Sequence, residues 1–168
     1  MRVADLELLY DYGYWANRRL LDAISALSNE EFTRDVAGSY GSIRNTLVHV
    51  LSAEWGWLDR SGGHARGPKL RPDEFPDLRS IVETWDEVEG YVRQFFDQLQ
   101  DDDLRRVVEF DFGGAMRGSV CVGEVLHHGA VHASHHRGQV ALLLRELGHA
   151  PGNFDILFYY AEKARSTV

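Results

Sequence analysis

Five of the eight histidines in this chain fall within ten residues, His127-His128-Gly129-Ala130-Val131-His132-Ala133-Ser134-His135-His136. Imidazole is the commonest protein ligand for first-row transition metals, so this density is the chain's clearest chemical signal. His132 and His136 are four apart, which stacks them one above the other if the segment is helical. Metal chemistry carried on a helix is the expectation.

The helix that must carry them is predicted from about Val122 to Leu147, stopped at Gly148 with Pro151 beyond. On a helical projection Val125, Gly129, Val140, Leu143 and Leu147 define the buried face, and His132 and His136 fall inside that sector. His128, His135 and Gln139 lie on its flank, and His127 points away. A single buried histidine is usually satisfied by a hydroxyl or carbonyl. Two stacked on one buried face need stronger partners, and a shared cation supplies them.

A catalytic centre of this kind takes three protein ligands and leaves one position open. His49 is the only histidine on a different predicted helix. From position alone it reads as a boundary or exposed residue, about 100° past the apolar edge at Val50. Small neighbours, Ser42, Thr46, Ala53 and Gly56, would leave room there for a cavity or a close helix approach. His64 is expected in a solvated loop, and His149 at a helix end.

Other chemistries fit less well. Ala133 and Ser134 follow His132, so the His-Glu-x-x-His pattern and its general base are absent. Glu124-x-x-His127 and Glu146-x-x-His149 come from one helix or its end, whereas a di-iron carboxylate bundle needs two. Cys121 reads as a packing residue, and phosphate loops and nucleophile elbows are missing. The chain has 168 residues and a net charge of −8, with 44% hydrophobic and 26% charged residues. This suits one soluble domain, with no basic face for nucleic acid and no membrane span. One cysteine and no signal-peptide core lead to the expectation of a cytoplasmic protein.

Three further long helices are predicted: about Val3 to Leu27, Ser42 to Arg60 (ending at Ser61-Gly62-Gly63), and Asp77 to Leu99, with Ile81, Trp85, Val88, Val92, Phe95 and Leu99 as its stripe. Val107 to Phe112 and Met116 to Val120, around Gly113-Gly114, suggest a short hairpin or loop. A short helix from Asp155 to Arg165 closes the chain. The fold class is all-α, an antiparallel four-helix bundle in a single domain over residues 1–168.

Three patches resemble the DinB family, the damage-inducible, YfiT-like four-helix-bundle metalloproteins. They are Tyr14-Trp15-Ala16-Asn17-Arg18-Arg19-Leu20, the run from Ser42-Ile43 through Leu47, His49 and Glu54, and His132-Ala133-Ser134-His135-His136-Arg137-Gly138-Gln139. The resemblance implies a metal triad of His49, His132 and His136 holding one divalent ion: Zn, Ni, Fe or Mn. It further implies a thiol S-transferase or hydrolase acting on a small-molecule substrate, with a low-molecular-weight thiol as a further cofactor. A homodimer is implied too, and Ala130, Ser134, Gly138 and Ala141 offer a small-residue face for it. Val131 departs from the pattern, since many relatives carry Asn before the first signature histidine. Tyr10, Tyr14, Trp57 and Gln139 are the candidates to line the pocket, and Arg137 is expected in a surface salt bridge rather than orienting an anionic substrate group. The alternative is a non-catalytic protein, either a stress-related metal binder or a plain structural bundle.

Overall fold

The computed structural model describes residues 1–36, 38–62 and 69–166. Gly63 and His64 lie outside the described residues. Among the described residues six α-helices and one two-stranded sheet follow in order: α1 (Val3–Ile24), α2 (Asn29–Thr33), α3 (Ile43–Ser61), α4 (Leu78–Gln98), β1 (Val107–Asp111), β2 (Arg117–Cys121), α5 (Val122–Glu146) and α6 (Ile156–Ser166). The protein is mostly helical. Among the described residues no helix is long and apolar enough to cross a membrane.

Helix ends follow from local chemistry. Ser42 caps α3 by accepting a hydrogen bond from the Asn45 N–H (3.0 Å), and Asp77 caps α4 by accepting one from Ser80 N–H (2.9 Å). Gly148 takes φ +85°, and the His149 N–H returns to the Leu144 carbonyl, closing α5. The first helix stops three residues before the predicted Leu27. Ser28 and Glu31 form a reciprocal capping box that opens α2, and Ser28 must be extended to make it. That short helix buries Phe32 and was not anticipated.

The four long helices bury apolar stripes against one another: α1 and α3 each pack on both α4 and α5, and α6 lies against α1. On α4 the buried aromatic beside Ile81, Trp85, Val88 and Val92 is Phe96, while Phe95 is only partly covered. The strands form an antiparallel hairpin in the register Val107↔Cys121 to Asp111↔Arg117. Gly113 and Gly114 both adopt positive φ at its tip, where a side chain would be strained. Strand β2 runs directly into α5, so the hairpin is anchored beside the start of the histidine helix.

Candidate metal centre

Helices α3 and α5 bring three imidazoles together. His132 Nε2 lies 3.0 Å from Nε2 of His49 and 3.1 Å from Nε2 of His136. One ring nitrogen from each of the three falls within 4.8 Å of the others. His49, read from position alone as a boundary residue, is half-buried and turned into this cluster. Of the four small residues flagged around it, Ala53 and Gly56 line an open cleft of about 470 Å³ that also exposes His49 and His132, while Ser42 and Thr46 are buried.

Protonation is set by the surroundings. Burial, then His136, pushes His49 down to about 4. Burial, then His136, His49, His128 and His135, pushes His132 down to about 4. Burial also lowers His136, opposed by its hydrogen bond to Gln139. All three are therefore neutral near pH 7, the form in which imidazole ligates metals.

The tautomer of His136 follows from its partner. Gln139 Oε1 lies 2.6 Å from Nδ1, and a carbonyl oxygen accepts, so Nδ1 carries the proton and Nε2 presents a lone pair to the cluster. The same oxygen accepts from the Ser39 hydroxyl at 2.8 Å, and the Gln139 amide nitrogen donates to His135 Nε2. Tyr40 completes the surround: its ring stacks on His49 at 3.8 Å between centroids, 18° from parallel. Ser39 reaches Gln139 from a left-handed backbone, φ +48°, a conformation non-glycine residues adopt rarely. Ser39 and Tyr40 belong to a loop without periodicity, and no sequence signal marked them.

The donor set fits a divalent transition ion. Three Nε2 atoms face one another with too few protons to hydrogen-bond every pair, so a cation would satisfy what protons cannot. Tetrahedral Zn–N bonds of about 2.0–2.1 Å would space the nitrogens roughly 3.4 Å apart, a few tenths of an ångström wider than the contacts here. Small side-chain adjustments cover that difference. Nitrogen-only ligation accepts zinc, nickel or iron and does not single one out.

Of the four predicted pocket residues, Trp57 lines the cleft and Gln139 holds His136. Tyr10 and Tyr14 are placed elsewhere. Both are buried and border a separate cavity with Arg93 and Asp97. The Tyr14 hydroxyl donates to Glu54 Oε1 at 2.7 Å, and Trp85 Nε1 donates to the other oxygen at 3.2 Å. Burial raises the Glu54 carboxyl, against those hydrogen bonds and the charge of Arg137.

Arg137 is not the surface ion pair expected of it. Its side chain is 4% exposed, and Nη1 donates to Asn17 Oδ1 at 3.0 Å. Its guanidinium lies 5.3 Å from the centre of the Tyr12 ring, and among the described residues its Nε has no hydrogen-bond partner. Burial lowers its pKa, opposed first by Tyr12 and then by the charge of Glu54. The remaining histidines keep to the margin. His128 is exposed and stands edge-on to Trp57, and His127 is exposed. Val131 is exposed too. The anticipated small-residue face is broken, because Ala141 is buried in the core while Ser134 and Gly138 are exposed.

These features define a helical protein with a three-histidine cluster compatible with metal binding. A sequence model of the DinB family matches residues 1–166, and the chain belongs to that family. Among curated proteins it is similar to Protein DinB of Bacillus subtilis (strain 168), with 23% identity over 156 residues covering 90% of this chain and 91% of that one. Among solved structures it is similar to a DinB-like protein from Bacillus cereus ATCC 10987, at a TM-score of 0.73 and 19% identity. That match covers 90% of this chain and 97% of the other, and at such identity it speaks for the fold.

Proposed function

We propose that this protein is a metal-dependent enzyme of thiol S-transferase or hydrolase type, with His49, His132 and His136 holding one divalent ion. The supporting observation is the convergence of three neutral imidazoles, two of which, His49 and His132, line an open cleft, so that an ion held there would keep a coordination position toward that cleft. The ion would supply a Lewis acid that lowers the pKa of a water or thiol at that position.

The chain's own residues would do the rest. Gln139 fixes the His136 tautomer and aims its Nε2, Tyr40 covers one face of His49, and Trp57 walls the cleft where a small-molecule substrate would lie. The four long helices are read as an antiparallel bundle in one domain, working in the cytoplasm as a homodimer. Val131 and Leu142, exposed on α5 to either side of Gly138, would contribute to the contact.

Elemental analysis of untagged protein tests the core of this reading. About one divalent ion per chain is expected, and His136→Ala should lose most of it; full stoichiometry in that variant would rule out the triad. Activity is then sought by scanning electrophiles with a panel of small thiols, beside ester and amide substrates for hydrolysis.

A further inference from the structure

The histidine cleft has a charge pattern opposite to that of the whole chain. The protein carries 26 acidic and 18 basic residues, yet among the described residues the cleft lining holds no carboxylate and two cations, Arg60 and Lys69. Arg60 and Lys69 are thus the Arg and Lys side chains that the described lining offers to an anion. Cations in a low-dielectric concavity attract and orient anions more effectively than the same charges on a flat surface.

A second arm continues from the first. Trp57, Phe112 and His128 border both the histidine cleft and an adjoining groove of about 260 Å³. Phe110, Met116, Val120 and Val125 complete the apolar wall of that groove. Trp57 meets Phe110 and Phe112 edge-on, at 6.0 and 5.8 Å between centroids. Phe112 and Met116 remain 50% and 60% exposed, so the groove is not filled by its own walls. Gly118, paired with Phe110 across the hairpin, helps shape it: a Cβ there would come within 2.9 Å of the Phe110 ring. The one carboxylate on this arm, Glu124, accepts the Cys121 N–H at the start of α5.

We propose that the two arms bind one small molecule with an anionic group, a carboxylate or its equivalent, joined to a flat apolar tail. The anion lies toward Arg60 and Lys69, and the tail lies between Trp57 and the hairpin side chains Phe110, Phe112 and Met116. Arg60 stacks over the Trp57 ring at 5.0 Å, which places one of the two cations directly beside the junction of the arms. Pockets of this volume, largely apolar with a few placed charges, are typical of small-molecule sites. The inference deepens the enzymatic reading by naming the class of substrate and rests on that cleft being the site. His128 borders both arms, and His49 and His132 line the first.

The test uses phenylbutyrate and its neutral counterpart phenylbutanol, titrated calorimetrically into metal-free and Zn²⁺-loaded full-length protein. Metal-free protein should bind the acid about tenfold more tightly than the alcohol, the discrimination expected of a guanidinium and an ammonium acting together. Arg60→Gln with Lys69→Gln should abolish that preference. Phe112→Ala, at an exposed position, should weaken both ligands alike. Equal affinities in the unaltered protein, no binding of either ligand, or a preference that survives the double substitution would overturn the proposal. A preference found only with Zn²⁺ present and indifferent to the double substitution would also overturn it, by placing the carboxylate on the ion. Zn²⁺ stoichiometry is measured separately on the same samples. Loss of zinc binding with the acid preference intact would refute the metal reading alone.

Discussion

Gln139 Oε1 accepts a 2.6 Å hydrogen bond from Nδ1 of His136, one helical turn before it on α5. The amide thereby decides which nitrogen of His136 faces the cluster. Outer partners of this kind usually change metal affinity by about 10- to 100-fold when removed. Gln139→Ala should therefore weaken metal binding at least tenfold, read by competition with a chromophoric chelator. Its metal-free melting temperature should stay close to that of the unaltered protein, because Gln139 is only half-buried. Unchanged affinity would show that His136 needs no such support.

Metal removal should lower the melting temperature by an amount that grows with the free metal concentration of the reference sample, as mass action requires for a ligand that binds only the folded state. In His132→Ala this metal-dependent increment should vanish, since His132 touches both of its partners. A thermal shift that persists in the variant would place the ion elsewhere.

His49 and His132 titrate near 4 in the folded, metal-free protein against an ordinary value of 6.5. A depressed folded-state value means that the unfolded chain takes up protons first as the pH falls. Their contribution to stability is thus fully present above about pH 6.5 and is lost progressively toward pH 4. Urea midpoints of chelated protein should decline through that window, and the decline should shrink in His49→Gln/His132→Gln.

Arg137 and Glu54 are desolvated groups of opposite charge that act on each other without an ion-pair contact. Arg137→Met should cost about 1–3 kcal/mol, mainly through loss of the buried hydrogen bond to Asn17 Oδ1. Adding Glu54→Gln should cost less than the two single changes combined, by a coupling of about 1–2 kcal/mol in a double-mutant cycle. Strict additivity would mean that the two charges do not act on each other.

Gly129 faces Tyr10 so closely that a Cβ would meet the phenol oxygen at 2.6 Å, but the ring carbon bearing it only at 3.6 Å. Gly129→Ala should destabilise by about 1–3 kcal/mol despite its better helix propensity. Tyr10→Phe, which deletes the offending oxygen, should recover much of that loss in chemical denaturation. Failure of the rescue would mean that the glycine serves some other purpose.

The helical framework was legible because apolar stripes and caps are local signals: Ser42, Asp77 and Gly148 mark helix ends in the chain as they do in the fold. His132 and His136 were legible for the same reason, as members of a stripe that also holds Val140 and Leu143. His49 was not, because its role depends on how α3 and α5 dock, and the projection of one helix carries no such information. Only the resemblance to a family assigned it to the triad. Arg137 was misplaced because a lone charged residue is most often solvated, and its hydrogen-bond partner Asn17 lies on another helix. Ser28 and Glu31, by contrast, spell a capping box that could have announced α2. Tyr10 and Tyr14 were taken for pocket residues from their aromatic character, whereas burial beside Glu54 accounts for them.

His49 and His132 stand 83 positions apart along the chain, on different helices. An ion gripping both would act as a removable bolt between distant stretches of backbone, held only while the chain is folded. Loading and unloading it would then govern how readily α3 and α5 separate, so the supply of metal would set the protein's mechanical integrity together with its chemistry.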